Sequence, residues 1–371
     1  MSTTPLLSIS RRLRNTPFTQ RVTQSGVKAY TVYNHMLLPT VFDSVESDYH
    51  HLKQYVQVWD VACERQVEIS GPDAHRLVQL LTPRDLTSMQ DDQCFYIPMV
   101  DETGGMLNDP VLLRVDGNRY WISIADSDVL FWVKGVALGM NLDVEIHEPD
   151  ISPLAVQGPK SDELMARVFG DSVRDIRFFR YRELTFQGAQ LVIARSGYSK
   201  QGGFEIYVAG SDIGEPLWDA LFKAGEDLNV RAGCPNLIER IESGLLSYGN
   251  DMTRTNTPHE CGLQKFCNAP DNFDYIGRNA LGKITPDNLK RQIRGLKIDG
   301  APVPPCTDSW SLSVNDQFAG EVTSAAWSPD FECNLAIGMI EREFWDSGTE
   351  VRVKLENQER TAVICTLPFP R

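Results

Sequence analysis

Short apolar stretches bounded by turn residues run along most of the chain, and their period changes in a repeated way. V-E-I-S (67–70) alternates apolar with polar, as a half-buried strand does, and L-A-V-Q (154–157) is a short apolar run of strand length. Each is followed by Gly-Pro and then by apolar residues three and four apart: Leu77, Leu80 and Leu81 in one case, Leu164, Met165 and Val168 in the other. That spacing gathers them on one face of a helix. Strand, Gly-Pro turn and amphipathic helix thus occur twice, at 67–81 and 154–168, with Asp73 or Ser161 expected to supply oxygen to the open N–H groups of the helix. The repeat predicts two related α+β lobes. L-V-I-A-R and F-E-I-Y-V, within 187–208, read as two more strands joined by S-G-Y-S-K-Q-G-G, and a helix is expected from about Asn236 to Leu246. Residues 254–290 are loop-rich. From about Gln292 short strands with Gly and Pro turns predict a small antiparallel β-barrel. The expected fold is α+β: a first lobe from 1–60 with about 150–250, a second from 61–149 with about 251–290, and a C-terminal barrel over 291–371.

Composition narrows the setting. A chain of 371 residues suits two or three domains, and 42% hydrophobic against 23% charged residues is a globular balance. No apolar run approaches the ~20 residues of a membrane span, and no cationic leader precedes an apolar core. The net charge of −14 repels nucleic acid. Eight scattered cysteines without a C-x-x-C pair fit reduced thiols in a cytoplasmic protein. Neither nucleic acid nor a membrane is therefore an expected partner.

Motif subtraction goes further. There is no phosphate-binding G-x-x-x-x-G-K-[ST], no G-x-G-x-x-G and no G-x-S-x-G elbow. The six histidines lack metal-site spacing, and Cys261 and Cys267 are too far apart for a zinc knuckle, so no metal is expected. What remains is a set of polar and aromatic motifs at strand ends: Y-N-H-M-L-L-P (33–39), Q-C-F-Y (93–96), G-G-M-L-N-D-P (104–110), S-G-Y-S-K-Q-G-G-F-E-I-Y (196–207) and R-I-E-S-G-L-L-S-Y-G-N-D (240–251). Singly, each is a turn. Five glycine-marked loops carrying Asp, Glu and Tyr are better explained by one organic ligand held between them.

In this order the motifs resemble the folate-dependent aminomethyltransferase family founded on the glycine-cleavage T-protein. The family's Gly-Gly-x-x-Asp-Asp strand mouth is matched by Gly104 to Asp109. Its Gly-Tyr-Thr-Gly-Glu-x-Gly-x-Glu-Ile stretch is matched in part by Gly197, Tyr198, Gly203, Glu205 and Ile206. Its Arg-Leu-Glu-Ala-Gly-x-x-x-Tyr-Gly-Asn-Asp is matched by Arg240, Glu242, Gly244 and Tyr248 through Asp251. G-E-V-T-S-A-A-W-S-P (320–329) and N-L-A-I-G-M (334–339) extend the likeness over the barrel. The departures are Asn108 for the first aspartate, Ser199-Lys200-Gln201-Gly202 in the second motif, Asn236 for an arginine, and Met36 for a tryptophan. With V-Q-V-W-D-V-A-C-E-R-Q-V and A-G-C-P-N, these variants are similar to the branch of the family that demethylates dimethylsulfoniopropionate.

The resemblance implies a three-part cloverleaf arrangement with folate in the central cleft. It implies methyl transfer from a sulfonium to N5 of tetrahydrofolate, giving 3-(methylthio)propionate and 5-methyltetrahydrofolate. An aminomethyl donor on a lipoyl carrier and another onium methyl donor are the alternatives. By the match, Asp109 is the catalytic carboxylate beside the folate nitrogens and Glu205 grips the pterin edge, with Tyr96 and Tyr198 also on the cofactor side. Aromatic faces suit a sulfonium, which makes Tyr33, Trp121, Phe178 and Tyr207 candidates, with Ser123 and Lys200 as possible anchors for the substrate carboxylate. A sulfonium carries its own leaving group, so neither a covalent nucleophile nor a metal is required.

Overall fold

Five residues after the strand Val56–Asp60 the chain is already in a different sheet, in the strand Gln66–Ser70. That crossing organises the molecule, which a computed structural model describes over residues 7–356 and 358–370. One sheet has six strands in the order Tyr181–Phe186, Ala189–Ala194, Gly203–Ala209, Ile151–Gln157, Val56–Asp60, Val230–Gly233, antiparallel except for the last pair. The other has five antiparallel strands: Glu145–His147, Gln66–Ser70, Arg119–Ser123, Val111–Asp116, Cys94–Tyr96. The C-terminal strands, from Arg291–Ile298 to Gln358–Cys365, close into a six-stranded barrel. The architecture is α+β.

Each open sheet buries one face under helices. Phe204, Ile206 and Val208 pack against Leu164, Met165, Leu217 and Leu221; Ile69, Tyr120 and Ile122 pack against Leu77, Val129 and Val133. The period of two sends the intervening residues to the opposite face. There the two sheets meet, through Cys94, Leu113 and Trp121 from one and Tyr181, Val192, Ala194 and Tyr207 from the other. At the end of this sheet-to-sheet contact the layers part, and a cavity begins.

The repeat is present as two strand-to-helix units, Gln66–Ser70 with Ala74–Leu80 and Ile151–Gln157 with Ser161–Phe169. The expected caps are not. Asp73 turns its carboxylate to the backbone N–H of Asp143 (2.9 Å), and Ser161 is already inside its helix and buried. The helix expected to 246 stops at Ser243, because Gly244 adopts the left-handed conformation (φ 66°) that ends it. Its start is as expected: the Asn236 side chain accepts from the N–H groups of Ile238 and Glu239. Among the described residues no helix is long and apolar enough to cross a membrane.

Candidate active site

Row by row, the strand registers explain which side chains reach the cavity. Tyr96 pairs with Val111 and Val111 with Ser123, so all three form one row at the edge of the sheet contact. One row deeper on the same face are Cys94, Leu113 and Trp121. In the other sheet Glu205 and Tyr207 share a face in the same way, with Glu205 nearer the opening. Between the sheets and the barrel lies a cavity of about 1840 Å³. Tyr33, Tyr96, Asp109, Ser123, Phe178, Tyr198, Lys200 and Glu205 line it, together with Glu64, Arg84, Tyr248 and Phe266. Trp121 and Tyr207 do not, which corrects the expectation for both. They are 7% and 1% exposed, with ring centroids 6.1 Å apart inside the sheet-to-sheet core, and the Trp121 indole N–H donates to Glu68 (2.6 Å). Their face was the right one, but they sit one row too deep.

Asp109 is presented by the turn that follows the strand Met106–Asn108. Gly105 must be glycine, since a Cβ there would stand 2.2 Å from the Arg254 carbonyl oxygen. Asn108 points inward, fully buried. Its amide donates to the Ala125 carbonyl (3.0 Å) and Ser127 Oγ (2.8 Å), and its oxygen accepts from the Ala125 N–H (2.9 Å). With Asn108 acting as the staple, the next side chain faces the cavity. Asp109 Oδ2 accepts from the Tyr96 hydroxyl (3.0 Å). Burial pushes the Asp109 carboxyl up to about 7, against the lowering effect of that hydrogen bond.

Glu205 is 7% exposed and accepts a hydrogen bond from Ser196 Oγ; burial raises its pKa, and the serine opposes the rise. The preceding loop needs glycine at 203, where φ is +155° and a Cβ would lie 2.4 Å from the Val156 carbonyl oxygen. Glu239 holds the same loop from below, accepting from the Lys200 backbone N–H (2.9 Å) and the Gln201 amide (3.2 Å). Lys200 itself is exposed on the cavity rim, as is Phe178 at 75% exposure. Tyr198 donates to the Leu246 carbonyl (2.6 Å), and Ser123 Oγ accepts from the Gln66 amide (2.9 Å). Tyr33 ends the hairpin strand Ala29–Tyr33, whose tip at Asn34 and His35 has positive φ. The Asn34 amide ties that tip to the carbonyls of Cys63 and Ala125 (3.0 Å each).

Three features carry no assignment from sequence. Arg84 lies 3.9 Å over the Phe95 ring and donates to the Tyr96 carbonyl (2.5 Å), fixing the strand that carries Tyr96. Arg240 and Asp251 form a buried ion pair (2.8 Å; side chains 8% and 0% exposed), and Asp251 also accepts from Thr323 and Ser324 of the barrel. Two of the family motifs therefore meet each other, while Arg240 and Tyr248 of the first also line the cavity. Glu64, in the five-residue crossing, faces the cavity. Only its place inside V-A-C-E-R-Q-V signalled it, an acid between two apolar strands.

The whole chain has the organisation of one known family. The GCVT N-terminal domain matches residues 18–270 and the glycine cleavage T-protein C-terminal barrel domain matches 291–370. The protein belongs to the glycine-cleavage T-protein family. A crystal structure of glycine cleavage system aminomethyltransferase T from Bartonella henselae has the same fold, with a TM-score of 0.84 at 22% identity, covering 96% of this chain and 98% of that one. Among sequence relatives, dimethylsulfoniopropionate demethylase DmdA of Ruegeria pomeroyi is 61% identical over 355 residues, 96% of this chain and 97% of its own. An aminomethyltransferase of Caldanaerobacter subterraneus is 27% identical over 90% of this chain and 89% of its own.

Proposed function

We propose that this protein is a tetrahydrofolate-dependent methyltransferase that demethylates dimethylsulfoniopropionate. The S–CH3 bond of the sulfonium breaks, a bond to N5 of the folate forms, and the products are 3-(methylthio)propionate, 5-methyltetrahydrofolate and the proton shed by N5. The 61% identity over nearly the full chain to the Ruegeria demethylase carries this reading; the aminomethyltransferase of Caldanaerobacter subterraneus stands at 27%. A cavity of about 1840 Å³ exceeds the ~300–1,000 Å³ typical of one small ligand and leaves room for two reactants.

On this reading the protein aligns the reactants and excludes water, a contribution of ~7–11 kcal/mol in favourable cases. Asp109, steadied by Tyr96, meets the positive charge that develops on the acceptor nitrogen and takes up its proton. Glu205 holds the donor edge of the pterin, since a carboxylate suits paired N–H donors, and Tyr198 closes the same side. Tyr33 and Phe178 offer ring faces to the sulfonium, while Ser123 and Lys200 receive the substrate carboxylate. We further read the protein as cytoplasmic, acting without nucleic acid or membrane, and as a homodimer, which light scattering tests. The lobes divide as the sheets do, with the crossings near 61 and 150 as their boundaries.

Purified protein incubated with dimethylsulfoniopropionate and tetrahydrofolate should yield 5-methyltetrahydrofolate and 3-(methylthio)propionate by mass spectrometry. No methylfolate there, with methylenetetrahydrofolate formed from an aminomethyl-lipoyl carrier instead, would overturn the assignment.

A further inference from the structure

We infer that Glu64 is the residue that recognises the positive charge of the sulfonium, and so distinguishes substrate from demethylated product. The inference rests on the sulfonium reading given above. Glu64 lies in the crossing between the two sheets, beyond the Val61 carbonyl that its backbone N–H reaches (2.9 Å), and lines the cavity that Asp109 and Glu205 also line. Its side chain makes no hydrogen bond or ion pair with any described residue. Asp109 has Tyr96 and Glu205 has Ser196; Glu64 alone of the three has no protein partner. A carboxylate that lines a cavity and has no partner within the chain is free to face a cation brought in by the ligand. Burial, and then the neighbouring Glu205 and Asp109, push its pKa well above the ordinary carboxylate value.

A sulfonium has no N–H to donate, so it is recognised by charge and by ring faces. Tyr33 lines the same cavity as Glu64 and offers such a face; burial, and then the Glu64 carboxylate, push its pKa up. Once the methyl group has left, the sulfur is a neutral thioether and the attraction is gone, which favours product release. The charge moves from sulfur towards the folate nitrogen during transfer. A carboxylate at the sulfur end therefore stabilises bound substrate more than the transition state, and its loss should appear in KM and not as a fall in kcat.

The test compares dimethylsulfoniopropionate with 3-(methylthio)propionate, which share the carboxylate and differ in the charge on sulfur. Glu64→Gln should raise Kd and KM for the sulfonium about tenfold. Kd for the thioether and for tetrahydrofolate should stay within threefold, and kcat should not fall by more than half. Glu64→Leu, which also removes no protein partner, should behave alike. Calorimetry in two buffers supplies a second reading. Wild-type protein near pH 6 should release protons on binding the sulfonium and none on binding the thioether, and Glu64→Gln should release fewer. The titratable groups facing Glu64 are Tyr33, Cys63, Asp109, Glu205 and Tyr207; Arg84, Lys200, Arg240, Lys265 and Arg294 line the same cavity. Unchanged sulfonium affinity in the variants, or equal losses for thioether and sulfonium, would overturn the role of Glu64. Wild-type protein that binds no sulfonium would overturn the functional reading with it.

Discussion

Asp109 shows how one side chain can be both useful and costly. Its carboxyl is pushed up to about 7, chiefly by burial, so ionising it works against the fold. A group with a raised folded-state pKa contributes stability that is present below its unfolded value, near 4, and lost as pH rises through about 7. Asp109→Asn should therefore be more stable than wild type at pH 8, with the gap closing below pH 4, as thermal melts across pH would show. Activity should move the other way. If the ionised form meets the developing charge, kcat/KM for folate rises with pH through about 7 in wild type. In Asp109→Asn it should be reduced ~100-fold or more and flat, with folate affinity within about tenfold. Tyr96→Phe removes the hydrogen bond that favours the ionised form, so the rise in the profile should shift to higher pH. Asp109 was legible in sequence through its motif. Its pKa was not, because burial is a property of what packs around it.

Strand alternation decides more than any single contact. The pattern F-E-I-Y-V fixes that Glu205 and Tyr207 share one face and that Phe204, Ile206 and Val208 share the other, and the structure has both. How far along that face the second sheet reaches is not written in the strand. It covers Tyr207 and Trp121 and stops short of Glu205 and Ser123. Tyr207→Leu should thus act as a core substitution, lowering stability by about 1–3 kcal/mol in urea unfolding and weakening sulfonium and folate to similar extents. A selective loss of the sulfonium would return Tyr207 to the site. Asn236 illustrates the opposite case, where a departure from the family motif has a local reason. It caps the helix Leu237–Ser243, and Asn236→Ala should cost about 1 kcal/mol.

At the scale of the whole molecule, the cavity exists because three bodies are held apart and together at once. The Arg240–Asp251 pair, with Ser324 and Thr323, fastens the barrel to the segment that forms one cavity wall. Asp251→Ala leaves Arg240 buried without its counter-charge, for which about 3–5 kcal/mol is expected; calorimetry should show a lowered transition, and proteolysis easier cleavage near the barrel junction. The sequence by itself determined the local choices: the repeat of strand and helix, the glycine turns, the closing barrel, and through its motifs the family and the chemistry it implies. Those follow from residue type and spacing, which act over a few positions. Only the tertiary structure decided which residues of each face end in the cavity, that Glu64 joins Asp109 and Glu205 there, and that Arg240 and Asp251 serve as a fastening. Packing brings Glu64 and Glu205 together across the chain and ties Arg240 and Asp251 to a barrel strand far along it, and the burial it creates raises the pKa of Glu64, Asp109 and Glu205; no local pattern encodes either.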